Sequence, residues 1–361
     1  MQKEMVNDKE AICLFILFVF GSSLIMGVGG AAKNDAWLAA IVGAAMALPM
    51  FFVYSRLLSL NHGNDLFDIL QSALGKTMGA IMAVVYIFYA FHLGALALRN
   101  FGEFANTVAL PETPMIVPML FMGIVCIVGA RLGIEVLGRI TTYFIPLIFL
   151  ILLVIQLLAI SQLNLGYIKP FLGNGIKPVL TGAFSAFSFP FAETVLFIGA
   201  FSALKTKKSP YKVYSWGIVI SSFFIVILAV RNIGVLGSMV GNLYFPSYAA
   251  VSSIQIGDFV QRIEVTVSIV FMFSVFIKCA ICLLVATKGL SKILRLDNYR
   301  SIVVFTGLLM SLFAYTVYDN SMEMRVWAFK VYPYYAFPMQ VVFPLIVWLC
   351  TEIKAKRRSA Q

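Results

Sequence analysis

A cluster of polar residues interrupts one of the apolar runs of this sequence. Residues 178–200 are long enough to cross a membrane, yet their middle contains Ser185, Ser188, Pro190 and Glu193. A proline donates no backbone hydrogen bond and its ring collides with the preceding turn, so the helix should break near Pro190. Freed backbone groups and a carboxylate within a membrane predict a binding cavity. The alternative is a kinked structural helix in which Glu193 caps the second half.

A second interruption lies near the start of the chain. Residues 21–30 contain four glycines and two serines, which indicate either a close helix–helix contact or an unwound midpoint. Both interrupted runs occupy corresponding places in two halves of the chain, as the sites of inverted-repeat transporters do. Half-helix N-termini at the two breaks would favour a ligand carboxylate. The ligand-binding candidates in these runs are Gly21, Ser22, Ser23, Gly27, Ser185, Phe187, Ser188, Pro190 and Glu193.

Two further candidates lie in other apolar runs. Lys278 lies within the predicted eighth span, where a charged lysine costs about 2.5–3.5 kcal/mol. We therefore expect Lys278 to face the bundle interior and to pair with Glu193. This intramembrane pair either replaces a bound sodium ion or serves only folding. Tyr89 shares a helix face with His92 through i, i+3 spacing, which makes Tyr89 a candidate ligand contact.

The residue inventory argues against catalysis, a cofactor or a bound metal. The chain has two histidines, His62 and His92, and they lie in different segments. The sequence contains no glycine-rich phosphate loop, nucleophile elbow or cluster with metal-ligand spacing. All five cysteines fall in apolar runs and predict no disulfide framework. We therefore expect no enzymatic activity.

The composition is that of a polytopic membrane protein. Of 361 residues, 61% are hydrophobic and 12% are charged, and the mean hydropathy is +0.94. Soluble proteins contain about 25% charged residues. The net charge of +11 arises from short loops and the C-terminus, so it indicates contact with a lipid bilayer and not with nucleic acid.

The apolar runs predict ten spans with both termini in the cytoplasm. The N-terminus, the loops after even-numbered spans and the C-terminus hold 18 Lys and Arg residues, against 8 in the other loops, where Arg56 and Arg231 near the ends of their spans are counted with the loops that follow. Cytoplasmic loops carry the excess of basic residues, which sets the orientation. The predicted spans are residues 11–29, 36–57, 79–98, 115–130, 140–160, 178–200, 214–236, 265–286, 302–318 and 332–350.

The connections after spans two and seven support two related halves. The first contains a short amphipathic segment with Asn64 as candidate N-cap and Gly75 as its end. The second contains a semi-apolar segment at residues 248–260. Each half has an odd number of spans, so the halves run in opposite orientations. The prediction is a five-plus-five inverted repeat, residues 11–160 and 178–350, within one transmembrane domain.

Several motifs resemble those of a known family. They are Asp-Ala-Trp-Leu at 35–38, Asp-Leu-Phe-Asp-Ile-Leu at 65–70, Leu-Gly-Lys at 74–76 and Phe-Pro-Phe-Ala-Glu at 189–193. Their combination resembles the spore germination permeases, a branch of the amino acid–polyamine–organocation superfamily. The resemblance covers essentially the whole chain. Two departures are Ala192, where the family often has Gly, and His62-Gly63, where it often has Pro.

The resemblance implies an all-α, LeuT-like fold with broken helices 1 and 6. It also implies the B subunit of a nutrient germinant receptor in the inner membrane of the endospore, with its termini on the spore-core side. Such a subunit would sense a small nutrient, often an amino acid, together with an A-type subunit and a C-type lipoprotein subunit. A secondary amino acid transporter is the alternative function.

Overall fold

Long apolar helices dominate the chain because a backbone in lipid must satisfy its own hydrogen bonds. The computed structural model describes residues 4–254 and 263–359. Within these residues seven helices are long and apolar enough to cross a membrane, at Gly30–Leu60, Lys76–Ala109, Ile134–Gln162, Ile176–Ala200, Ser209–Gly241, Glu264–Ile293 and Ser321–Arg357. The predicted fourth and ninth spans are the shorter apolar helices Ile116–Leu132 and Val303–Thr316. The predicted first span consists of two pieces.

The α-helices of the described residues are numbered in chain order. They are α1 Asp8–Phe20, α2 Ser23–Met26, α3 Ala36–Leu60, α4 Leu66–Leu74, α5 Lys76–Phe104, α6 Ile116–Leu132, α7 Ile134–Ala159, α8 Ile176–Ala186, α9 Phe197–Ala200, α10 Ser209–Leu236, α11 Pro246–Ser252, α12 Glu264–Ile293, α13 Val303–Thr316, α14 Ser321–Val326, α15 Tyr332–Phe337 and α16 Phe343–Ser359. Two short strands, β1 Met5–Val6 and β2 Ala203–Leu204, pair in parallel.

The first span is interrupted between α1 and α2. Gly21 follows α1 with φ +22°, a backbone region that favours glycine. The helix resumes only for the single turn of α2, which ends at Gly27 with φ +73°. The prediction that the span continues to residue 29 is therefore wrong. Glycines with positive φ end it early, and a short 3₁₀ segment, Gly30–Asp35, leads into α3.

The predicted break of the sixth span at Pro190 is confirmed. Helix α8 ends at Ala186, and Phe189 has extended backbone angles, φ −131° and ψ 113°. The ring of a proline disfavours a helical conformation at the preceding residue, which explains why the departure falls on Phe189. A tight 3₁₀ turn, Ala192–Leu196, then leads into the short helix α9.

Short helices follow the second span of each half, which agrees with an inverted repeat. The predicted cap of α4 is off by one residue, because Asp65 and not Asn64 is the N-cap. The Asp65 carboxylate accepts hydrogen bonds from the backbone N–H groups of Phe67 and Asp68 at 3.0 and 3.1 Å. In the second half the short helix is α11, and residues 255–260 of the predicted segment lie outside the described residues.

Helix α12 lies at the centre of the bundle and packs against α1, α5, α6 and α7. In the most apolar 18-residue stretch of this helix 78% of residues are buried, whereas in the corresponding stretch of Ile134–Gln162, which contains α7, 28% are buried. A central helix that is apolar all round brings any polar side chain it carries into the protein interior. Lys278, near the middle of α12, is such a residue.

Candidate functional site

Lys278 and Glu193 form a buried ion pair where the sixth span breaks. Their side chains are 1% and 0% exposed, respectively. The ammonium also lies over the rings of Phe18 and Phe189, at 5.3 and 4.9 Å from the ring centroids. A buried charge is costly unless it is paired and hydrogen-bonded, and aromatic faces attract cations. A carboxylate and two rings thus form a cage around the lysine.

A chain of hydrogen bonds extends from Glu193 to three other spans. The Tyr332 hydroxyl donates to Glu193 Oε1 at 2.6 Å, and the Tyr89 hydroxyl lies 3.2 Å from that of Tyr332. Gln340 Nε2 donates to the Tyr89 hydroxyl and to the Ser188 carbonyl, both at 2.9 Å. Ser188 Oγ returns a bond to Gln340 Oε1 at 3.0 Å. The network therefore satisfies a backbone carbonyl freed at the break and links spans three, six, eight and ten.

Gly21 makes room for the lysine. A Cβ atom at Gly21 would lie 2.6 Å from Lys278 Cδ and 2.9 Å from the Phe18 carbonyl oxygen. The aliphatic stem of Lys278 therefore crosses the first span at its break, where the absence of a side chain allows close approach. The structural role of Gly21 here is to admit Lys278, and a ligand contact at Gly21 stays a prediction.

A small cavity adjoins the ion pair. Its volume is about 30 Å³, which is room for about two water molecules. An amino acid would fit only after the walls move apart. The wall consists of Ser22, Met26, Leu93, Leu96, Ala97, Asn100, Phe189, Glu193, Lys278, Tyr318, Met324, Trp327, Ala328 and Tyr332.

The candidates from the sequence occupy different layers around this cavity. Ser22, Glu193 and Lys278 are in its wall, and Ser22 Oγ accepts a hydrogen bond from Asn100 Nδ2 at 3.0 Å. Tyr89 lies behind the wall, one hydrogen bond beyond Tyr332.

Other candidates lie outside the wall. Ser23, the first residue of α2, has its Oγ at 2.8 and 2.9 Å from the carbonyl oxygens of Val19 and Phe20 at the end of α1, so its hydroxyl donates across the break. Gly27 instead lines a second cavity. Four candidate residues of the sixth span are also absent from the wall of the first cavity, namely Ser185, Phe187, Ser188 and Pro190.

Several wall residues had not been singled out from the sequence. Asn100 could have been found, because Leu93, Leu96, Ala97 and Asn100 follow the i, i+3, i+4, i+7 spacing of one helix face. Trp327 and Tyr332 carry no comparable signal, since Tyr332 is the first residue of the predicted tenth span and Trp327 precedes that span. Only folding brings them next to Glu193.

The electrostatics of the site depend on the ion pair more than on helix ends. Helix α2 has four residues, so few peptide dipoles align toward the cavity. The predicted attraction of a ligand carboxylate to two half-helix N-termini is correspondingly small. Among the residues with described positions, no group of three or more His, Cys, Asp or Glu side chains could hold a metal ion.

Comparison with known sequences gives a family. A family model described as "Spore germination protein" matches residues 5–322. Spore germination protein KB of Bacillus subtilis (strain 168) is 28% identical over 368 residues, which cover 99% of this chain and 98% of the relative.

Solved structures share the fold. MhsT in complex with L-phenylalanine superimposes with a TM-score of 0.69 and 12% identity, over 97% of this chain and 96% of that chain. Mhp1, a nucleobase-cation-symport-1 family transporter in a closed conformation with bromovinylhydantoin bound, superimposes with a TM-score of 0.68 and 12% identity. This match covers 90% of this chain and 74% of that chain. At such identities the likeness shows the fold alone. The chain belongs to the spore germination protein family, and it is an integral membrane protein with a LeuT-like fold.

Proposed function

We propose that this chain is the membrane subunit of a nutrient germinant receptor and binds an amino acid in the cavity beside Glu193 and Lys278. The observation that carries the proposal is that the breaks of the first and sixth spans meet at a small, partly polar cavity. Solved structures of the same fold hold small molecules, and MhsT is in complex with L-phenylalanine. Family membership supports the role in germination.

The cavity wall offers hydrogen bonds that the described residues leave unused. The Trp327 indole N–H is buried and has no acceptor among them. An unsatisfied buried donor costs about 1–3 kcal/mol. A carboxylate oxygen of the ligand would satisfy it when the cavity opens. Ser22 Oγ serves as an acceptor in the described hydrogen bonds, so its own hydrogen is a second donor for the ligand.

The remaining wall is suited to an apolar side chain. Met26, Leu93, Leu96 and Phe189 line it, and burial of apolar surface contributes about 25 cal/mol per Å². The ion pair is neutral as a unit, so it favours a zwitterionic or polar ligand over one with a net charge.

Ligand binding must enlarge this site, and the enlargement is the proposed signal. A ligand shifts a conformational equilibrium by as much as its affinity differs between the two states. The hydrogen-bond chain from Glu193 through Tyr332, Tyr89 and Gln340 crosses several spans. An expanded cavity would therefore move those spans together. An A-type subunit and a C-type lipoprotein in the inner spore membrane would receive the movement, with both termini of this chain on the core side.

The test compares two tryptophans whose indole N–H groups are both buried without an acceptor in the described part of the chain, Trp327 and Trp37. Trp37 lies against Phe171, outside the cavity wall. In spores that carry the receptor, Trp327→Phe should raise the half-maximal concentration of the active amino acid about tenfold, because a tenfold loss of affinity corresponds to the loss of one hydrogen bond. Trp37→Phe should leave it unchanged.

The measurement is germination, followed as loss of optical density, against a panel of L-amino acids. Equal responses of the two variants would argue against this cavity as the binding site. Failure of native spores to respond to any of the amino acids would contradict the ligand class.

The shared fold with two transporters supports a second candidate, secondary transport of amino acids. Uptake of radiolabelled amino acid by proteoliposomes that contain this chain alone would favour transport. A germination defect with unchanged uptake by vegetative cells would favour the receptor.

A further inference from the structure

Arg231 is a buried cation whose described partners are all neutral. It lies on α10, five residues before the end of the helix, and is 3% exposed. Its Nε and Nη2 atoms donate to Asn232 Oδ1 at 3.2 and 2.8 Å, and Nη2 lies 3.5 Å from the Ser247 carbonyl oxygen. Neither acceptor carries a charge, so these contacts orient the guanidinium without neutralising it.

The other buried basic residues that the structure describes each lie close to a carboxylate. Lys278 pairs with Glu193, and Arg99 lies 2.8 Å from Glu103. Lys288 lies 3.8 Å from Glu4. Arg231 is the exception among the buried basic side chains that the structure describes, because no carboxylate within residues 4–254 and 263–359 forms an ion pair with it.

A guanidinium does not deprotonate in a protein, so Arg231 keeps its charge in this apolar region. A buried charge without a counter-charge is strongly unfavourable. Basic residues at membrane depth therefore have partners or face a polar cavity. The missing counter-charge requires a source other than the described side chains.

A cavity lies beside the two residues that hold the guanidinium. Asn232 and Ser247 are in its wall, together with Ser23, Met26 and Gly27 of the first span. Asn232 Nδ2 donates to Ser247 Oγ at 2.9 Å, which leaves the Ser247 hydroxyl hydrogen as a donor to an occupant. The wall contains no acidic side chain among the described residues. The volume is about 40 Å³, enough for a few atoms and too small for an amino acid.

We propose that this cavity binds a small monovalent inorganic anion of the halide class as the counter-ion of Arg231. The anion accepts from the Ser247 hydroxyl. Arg231 is not in the cavity wall, so the anion is separated from the guanidinium by Asn232 and Ser247, the two residues that hold it. It connects the seventh span, α11 and the glycine turn that ends α2. The cavity shares Met26 with the wall of the cavity beside Glu193 but contains neither Glu193 nor Lys278, so the inference does not depend on the proposed receptor function.

The test uses the full chain in lipid nanodiscs and measures its thermal unfolding midpoint. Sodium chloride and sodium bromide are compared with sodium gluconate at equal ionic strength, since gluconate is too large for the cavity. Halide should raise the midpoint of the native chain by about 2–4 °C. Arg231→Gln should abolish the rise, and in gluconate this variant should be at least as stable as the native chain. Arg99→Gln is the matched control, in which the halide effect should persist.

Two results would overturn the proposal. One is an equal midpoint of the native chain in halide and gluconate. The other is a halide effect that survives in Arg231→Gln. Asp258 lies outside the described residues, and Asp258→Asn tests for a carboxylate supplied by the chain. Destabilisation by this change, without any halide effect in the native chain, would assign the counter-charge to Asp258. If Arg231→Gln does not fold, anomalous scattering from bromide in crystals of the native chain decides. A peak beside Ser247 supports the site, and its absence refutes it.

Discussion

The ion pair between Lys278 and Glu193 allows a quantitative test of the site. We consider Lys278→Met, Glu193→Gln and the double variant. Each single change leaves one charged side chain buried without its partner, because both groups are at most 1% exposed. Breaking a buried pair in this way costs about 3–5 kcal/mol, whereas replacing both charges by neutral groups is often close to neutral.

The double variant should therefore be more stable than either single variant. From these magnitudes the coupling free energy is about 3 kcal/mol or more, well above the ~0.5 kcal/mol error of additivity for independent sites. The Tyr332 hydroxyl, now 2.6 Å from Glu193 Oε1, keeps an acceptor in the amide of Gln. The coupling thus reports the charge pair and not the loss of that hydrogen bond.

The assay is reversible unfolding in mixed micelles, followed by tryptophan fluorescence, for all four proteins. Lys292→Met is the control, because Lys292 is 25% exposed and pairs with Asp65 and Asp68 near the end of α12. That change should cost about 1 kcal/mol or less. Strictly additive losses for the Lys278 and Glu193 changes would refute the reasoning.

The same variants address the proposal that Lys278 takes the place of a bound sodium ion. The nutrient response of the native chain should then be equal in sodium and in potassium salts. A clear requirement for sodium would contradict this role while leaving the structural pair intact.

Two further predictions concern local structure. Gly21→Ala places a Cβ 2.6 Å from Lys278 Cδ at a residue with φ +22°, so we expect a loss of about 1–3 kcal/mol in unfolding free energy and a weaker nutrient response. Gly30→Ala is the control, because no atom lies within 4 Å of its added Cβ. Equal effects of the two changes would count against the close approach of Lys278. Asp65→Ala removes the N-cap of α4 together with the ion pair to Lys292, and it should lower the unfolding free energy by about 1–2 kcal/mol, whereas Asn64→Ala should change it by less than about 0.5 kcal/mol. The reverse order would show that Asn64 is the cap.

Local backbone chemistry made the two helix breaks predictable. Proline and glycine act on the residues next to them, so Pro190 and the glycines after α1 indicated interruptions without any knowledge of packing. The length of α2 was less predictable, because Gly27 could either continue a packed helix or end it. The N-cap of α4 was ambiguous for a similar reason, since Asn64 and Asp65 are both good capping residues.

The sequence by itself determined the membrane class, the positions of the breaks and the cost of a charge at Lys278. Hydropathy could not determine which face of each span points inward, because lipid and protein interior are both apolar. Tertiary structure decided that α12 is central and that Asn100, Trp327 and Tyr332 line one cavity with Glu193, from three different spans. It also decided that Arg231 lies among neutral partners. These contacts join residues far apart in the chain, and the rotation of each packed helix selects which of them form.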